Sequence, residues 1–397
     1  MTNASTPRFP GLDSLRAIAS IAVVATHTCF WAGVYGNGTL GSAMQRLEVG
    51  VAVFFVLSGF LLSYPFVTQL RTGRRHDSTR RYFWKRSLRI LPVYWVAVVA
   101  ALVLLPANHS LGVSRWLDNL LLIDLYLNPA LPHGLTQMWS LSTEVAFYLV
   151  LPLLMWLLTT YVARRRWAPR RLLVTLGVLS VLSLGWTALA ASALKHVEGM
   201  HRALPSYFIW FAIGIALAVL DVDRRHRAAP SRNRLVDGVT VLASSAGTCW
   251  LLALAVFTIA STPLAGTPGL VAIAAGESVI RTGLYALVAL LVVLPSVLGD
   301  QQSAYARTLA HPFLRHLGHI SYSLFCCHVL VLELEARWFG FRLFQSDPFV
   351  LFAVTLTISL VIAELLYRFV EMPFLRWKDA RSTAPDTRQP IAITTSS

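Results

Sequence analysis

Val49–Leu70 reads VGVAVFFVLSGFLLSYPFVTQL, 22 residues without one charged side chain. A run of about 20 apolar residues matches the hydrocarbon thickness of a bilayer, whereas a surface helix of a soluble domain keeps a polar face. Outward from this stretch the pattern repeats. Apolar segments fall near 14–34, 49–70, 88–106, 137–163, 172–194, 204–222, 236–260, 276–298, 317–336 and 348–370. Between the third and fourth, residues 107–136 have room for a shorter interfacial or re-entrant piece around Leu117 to Leu127. The composition agrees: 56% of the 397 residues are hydrophobic and 13% charged, against about 45–50% apolar and about 25% charged in soluble domains. The expected fold class is an all-α polytopic membrane protein, a bundle of about ten transmembrane helices.

The formal charge of +15 invites a nucleic-acid reading. Its distribution argues against one, because the basic residues sit between apolar segments and mainly in alternate loops. Residues 71–89 hold eight, 164–171 five, 224–234 five and 299–316 two, whereas the intervening loops hold only Arg46, Arg115, Lys195, Arg202, Arg337 and Arg342. By the positive-inside rule the rich loops and both termini are expected in the cytoplasm, with 107–136 outside. Arg8 ahead of the first apolar run resembles the start of a signal peptide. That run is long for one and carries Asp13, Arg16 and His27, so an uncleaved helix is expected. Residues 1–378 form the expected membrane domain, and 379–397, with Ser, Thr, Pro and Asp, a disordered cytoplasmic tail. Cys29, Cys249, Cys326 and Cys327 all lie in apolar segments without metal-ligand spacing, so buried free thiols and no metal are expected.

Ionisable groups at membrane depth are costly and mark function. Arg16 and His27 are eleven residues apart, about 20° past three full helical turns and about 16 Å of rise, so they share a face of the first helix. His27 suits general-base work near neutral pH, and an arginine about 16 Å below it suits a phosphate of an extended cofactor. The plainer alternative is a histidine bonded to a neighbouring helix. Asp13 lies close to the same stripe and is spaced to pair with Arg16. Ser58 and Gly59 allow a close helix crossing or a kink beside a channel. Arg86 and Arg89 share a helix face and suit phosphates, or else form a positive-inside stop with aromatic anchors. Glu144 is the only carboxylate of the fourth segment, where it either caps the outward helix end or orients a catalytic or substrate group. Tyr148, Tyr322, His328 and Glu371 are further candidates, and Glu364 with Arg368 is expected to pair inside the bundle.

Six strings occur in an order that resembles the acyltransferase-3 family of bacterial membrane acyltransferases. They are Leu12–Arg16 with His27, Phe54–Phe60, Arg86–Tyr94, Trp139–Glu144, Ile320–Leu324 with His328, and Val370–Pro373. The resemblance covers nearly the whole chain and implies a stand-alone member in the bacterial cytoplasmic membrane, among membrane lipids. It implies an acyl-CoA donor, acetyl-CoA in the simplest case, entering from the cytoplasm. The implied acceptor is a hydroxyl of a sugar, glycolipid, polysaccharide or secondary metabolite. Arg16 and His27 match the family's essential arginine and histidine. Ala52 stands where the family has an acidic residue, and Glu144–Val145 replaces its Glu-Glu pair, which points to an altered acceptor. The expected mechanism has His27, through Nε2 or Nδ1, taking the acceptor's proton as its oxygen attacks the thioester. An acyl-histidine intermediate is the variant of the same chemistry. A proton-coupled transporter is the rival from another class, but no internal repeat supports it.

Overall fold

The computed structural model describes residues 9–36, 38–73, 78–226, 234–267 and 273–380, and every regular element among them is helical. The long helices are α1 (Gly11–Trp31), α2 (Gly50–Thr72) and α3 (Thr79–Leu104). The short α4 (Val113–Leu120) is followed by α5 (Trp139–Leu157), α6 (Pro169–Ala191), α7 (Leu204–Arg225) and α8 (Ala246–Ala260). The chain closes with α9 (Ala275–Leu298), α10 (Pro312–Trp338) and α11 (Pro348–Leu366). Among the described residues nine helical stretches are long and apolar enough to cross a membrane, and a bent pair would make ten.

That bent pair falls where 236–260 is read as one span, and it makes the segment a broken span or a re-entrant loop rather than one straight helix. The helix Arg234–Ser244 meets α8 at 92°, with the break at Ser245, whose hydroxyl bonds the Thr248 hydroxyl at 2.7 Å. Neighbouring serines are a recognised cause of sharp kinks. The 15 residues of α8 rise only about 22 Å, short of a bilayer's roughly 30 Å of hydrocarbon. Its last carbonyl, Ala260 O, accepts a hydrogen bond from Arg46 Nε at 2.9 Å, and Gly266 O accepts from Arg46 Nη2 at 2.6 Å. Arg46, fully buried, therefore ties a helix end and the turn after it rather than serving as a loop charge.

Bilayer lipid supplies no hydrophobic drive between helices, so close backbone approach and polar bonds hold the bundle. The central crossing is α2 on α7. A Cβ on Gly59 would run into Phe211 O, and one on Gly214 into Val56 O. Around that contact Phe211 stacks on Phe55 and on Phe147, with ring centroids 4.4 and 4.0 Å apart. α6 joins α7 through Ser183 Oγ to Pro205 O at 2.7 Å and Thr187 Oγ1 to Ser206 O at 2.9 Å. On the other side α1 packs on α10, where Gly318 leaves no room for a side chain against Asp13 O. Gly214→Leu must push two backbones apart and is expected to cost about 3 kcal/mol or more. Thermal unfolding in detergent should show a large loss for it. Gly177→Ala, with open space around its Cβ position, should unfold like the parent.

Arg71, Trp167, Asp223 and His226 meet at one end of the bundle. The Arg71 guanidinium lies 5.6 Å from the Trp167 ring centroid, and Trp167 Nε1 donates to Asp223 Oδ1 at 2.9 Å. Arg71 also reaches His226 O. We call this the basic end. At the opposite end α4 presents Val113, Leu117 and neighbouring Leu121 outward while burying Asn119, as the interfacial reading of 107–136 expects. Arg115 Nε holds the buried Asp124 carboxylate at 2.8 Å below it. Burial raises the Asp124 pKa in spite of Arg115.

Two further expectations change. Glu364 and Arg368 do pair, but Arg368 is 66% exposed, and His316 Nε2 bonds the same carboxylate at 2.8 Å. The pair faces outward, not into the bundle. The expected tail at 379–397 lies, from 381 onward, outside the described residues.

Candidate active site

α1 carries both groups of the expected pair. Arg16 lines a narrow interior cavity of about 70 Å³ with Ser58, Arg89, Glu144, Tyr148 and Tyr322, beneath Phe54, Phe55 and Phe325. Five helices, α1, α2, α3, α5 and α10, thus converge on one space. Glu144 is not a helix cap: the cap position of α5 makes no side-chain bond. Its Oε1 accepts from the Ser58 hydroxyl and from Tyr148 OH, the latter at 2.6 Å. A carboxylate five residues into α5 has left the end of the helix behind, and it joins α5 to α2 instead.

Arg86 and Arg89 divide between two recesses. Arg89 enters the cavity with Arg16, whereas Arg86 lines the adjoining space with Tyr82, Lys85 and Phe66. Arg86 still lies within electrostatic range of Arg89 and Glu144, and its Nε is buried without a hydrogen-bond partner. Three guanidiniums against two carboxylates, Glu144 and, beside Arg16 only, Asp13, leave an excess of positive charge and an unused donor. Such a place suits an anion with several oxygens.

Asp13 sits lower on α1. It is 3.8 Å from Arg16 Nη1, 3.5 Å from His319 Nε2 and 3.9 Å from Arg315 Nε. Its role is to tie α1 to α10 while Arg16 reaches inward. Glu371, fully buried, accepts from Ser323 Oγ at 3.1 Å, and Tyr322 OH donates to Ile90 O at 2.8 Å. Tyr322 faces the cavity through its ring. Glu371 does not line it.

His27 stands about 16 Å above Arg16 along the same helix. Its Nδ1 is 2.8 Å from Val23 O, so that nitrogen carries the proton and donates. His328, fully buried on α10, has its own Nδ1 2.8 Å from Phe325 O, and it likewise donates there. Its Nε2 is then an unprotonated acceptor, and it lies 3.3 Å from His27 Nδ1. Both contacts fix the same tautomer of His27. They leave its Nε2 as a free lone pair, the form a general base requires. The two rings meet edge to face with centroids 5.1 Å apart. His328 was visible in the sequence, but its pairing with His27 across 301 positions was not.

A larger cavity of about 640 Å³ opens at the end opposite the basic loops. Glu48, Trp139, Tyr207, Trp210, Arg281 and Tyr285 line it. Val51 borders both cavities, and Glu48 is within electrostatic range of His27. Apart from Trp139, which opens the string Trp139–Glu144, sequence reasoning did not single these residues out. Arg281, a basic residue inside the apolar run 276–298 one turn beyond Glu277, was the available signal. Among the described residues no three His, Cys, Asp or Glu side chains gather as a metal site.

A family model described as an acyltransferase domain matches residues 9–368. The chain is similar to the peptidoglycan O-acetyltransferase OatA of Listeria monocytogenes, 24% identical over 382 residues, 92% of this chain and 55% of that protein. It is 26% identical to the acyltransferase MdmB of Streptomyces mycarofaciens over 407 residues, 96% and 95% of the two chains. It is 23% identical to the O-acetyltransferase OatA of Staphylococcus aureus over 384 residues, 92% and 57%. The chain thus spans little more than half the length of the two OatA proteins. No solved structure matches it.

Proposed function

The chain belongs to the acyltransferase-3 family, and from that premise we propose that it moves an acyl group, acetyl in the simplest case, from acyl-CoA onto a hydroxyl. The observation that carries this reading is the fixed tautomer of His27, whose Nε2 lone pair stands free about 16 Å from a cluster of arginines. In the proposed step the acceptor oxygen attacks the thioester carbonyl as its proton passes to His27 Nε2. The C–S bond breaks, an ester forms, and the imidazolium returns the proton to the departing CoA thiolate. Nδ1–H stays on Val23 O throughout, so the ring does not turn between the two proton transfers.

The donor enters at the basic end, and the phosphates of CoA engage Arg16, Arg86 and Arg89. The excess of guanidinium over carboxylate and the unpartnered Arg86 Nε support that placement. The pantetheine arm is a thin, extended chain, of a length that suits the rise of about 16 Å from Arg16 to His27. We place the basic end in the cytoplasm, where CoA is found, and the chain in the bacterial cytoplasmic membrane, because the basic residues concentrate in those loops. Glu144, Ser58 and Tyr148 then hold the arginines and the walls of the donor passage in register.

Arg16→Lys keeps the charge and loses the planar fork, so acetyl-CoA binding to the purified protein should weaken by about tenfold, the loss of one charge-assisted bond. Titration calorimetry measures it. Parent-like affinity in both Arg16→Lys and Arg16→Ala would leave Arg16 only its tie to Asp13 and end the donor assignment.

A further inference from the structure

The first turns of α3 carry basic residues on two sides. Arg86 and Arg89, on the donor side, stand about 240° and 180° around the helix from Arg80, whereas Phe83, Trp84 and Ser87 fall within about 60° of Arg80. That second side faces away from the donor cavity. There Ser78, Arg80, Arg81, Phe83, Trp84 and Ser87 line an open groove of about 430 Å³, and among the described residues no carboxylate lines it. Farther along α3, Trp95 and Val99 lie about 60° and 100° around from Arg80 and are exposed, so the groove continues into the lipid-facing side of the bundle. The Trp84 ring meets Trp377 of the helix Met372–Ala380 edge to face, with centroids 5.0 Å apart. Tryptophans gather at headgroup depth, where one part of the ring is apolar and the other wet.

We propose that this groove binds an anionic phospholipid, phosphatidylglycerol in the simplest case, with its phosphate on Arg80 and Arg81 and its acyl chains along the outward side of α3. Guanidinium groups match phosphate oxygens through forked, charge-assisted bonds, and the Ser87 hydroxyl can pair with a headgroup hydroxyl. The occupant has to satisfy charge and apolar surface together. A soluble phosphate would meet the arginines and leave Phe83 and Trp84 uncovered, whereas a zwitterionic lipid would cover the rings and bring its own cation against the arginines. The phosphates of CoA are not the occupant, because the arginines assigned to them stand on the other side of α3. The site is therefore independent of the acyl-transfer reading.

Native mass spectrometry of the full chain in detergent, titrated with dioleoyl phosphatidylglycerol and separately with dioleoyl phosphatidylcholine, tests the site. The parent should take up phosphatidylglycerol in a saturable first step, about tenfold more tightly than phosphatidylcholine. Replacing both arginines, Arg80→Gln with Arg81→Gln, should lower that affinity about tenfold, the effect of removing two basic residues beside an anionic headgroup. Arg170→Gln with Arg171→Gln removes the same charge from two exposed positions at the start of α6 and should bind like the parent. Circular dichroism and monodisperse elution report that each pair is folded. Should the first pair fail there, Arg80→Gln alone, at an exposed position, decides by a severalfold loss. Equal losses in the two pairs would reduce the groove to diffuse surface charge and overturn the proposal, as would equal binding of the two lipids by the parent. Displacement of phosphatidylglycerol by inorganic phosphate or by acetyl-CoA would assign the groove to a soluble anion and overturn the lipid as its occupant.

Discussion

His27→Gln lowers acyl transfer by about 10² to 10⁴-fold, the usual effect of removing a general base, while acetyl-CoA affinity stays at the parent value. Glutamine can still donate toward Val23 O, so the helix keeps its local bond and only the lone pair at Nε2 is lost. Arg16, proposed to bind the donor, lies about three helical turns away on the same helix and is not disturbed. His328→Gln should do far less, about tenfold at most, because it removes one of two contacts that hold the His27 tautomer. Its effect should fall on kcat and leave KM for the donor alone, as expected of a positioning residue. Turnover in purified protein, with folding checked by acetyl-CoA binding, gives the ranking. Near-parent turnover in a folded His27→Gln protein would remove histidine from the chemistry.

Glu144→Gln has the second large effect, and its sign depends on the donor. Glu144 is the single carboxylate that lines the cavity with Arg16 and Arg89, with Arg86 nearby, while Asp13 reaches Arg16 alone from outside it. Losing its charge removes several kcal/mol of attraction, about 3 for one pair at roughly 6 Å in a dielectric near 20, and leaves buried cations without an opposing charge. Without donor the variant should therefore unfold well below the parent. Acetyl-CoA brings phosphates that replace the missing charge, so it should raise the melting temperature of the variant more than that of the parent. An equal shift in both proteins would mean that the phosphates do not reach this cavity.

Much of the bundle was legible because a bilayer imposes one strong rule, about 20 apolar residues per crossing. The rule counts residues and does not detect bends. Residues 236–260 satisfy it, yet the chain turns through 92° at Ser245, where competing side-chain bonds outweigh apolar length. The Arg16–His27 face was legible because helical periodicity holds along one unbroken helix. Long-range partners are another matter. Glu144 meets Ser58 across 86 positions and His328 meets His27 across 301, and nothing in local spacing encodes those meetings. The capping role considered for Glu144 used only its neighbours in sequence, while the structure gives it partners on another helix. The aromatic lining of the larger cavity was equally hidden. Trp139, Tyr207, Trp210 and Tyr285 come from three helices, and each alone looks like an ordinary core or interfacial ring.

The most direct test of the account uses membrane vesicles from cells that carry the chain and from cells that lack it, supplied with radiolabelled acetyl-CoA, which does not cross a bilayer. Inverted vesicles, with the proposed cytoplasmic basic end outward, should pass label to an ester product when the parent chain is present. They should pass about 10² to 10⁴-fold less with His27→Gln, and right-side-out vesicles should pass none. Labelling in right-side-out vesicles alone would contradict the orientation of the donor passage, and equal labelling by the parent and His27→Gln would contradict the proposed mechanism.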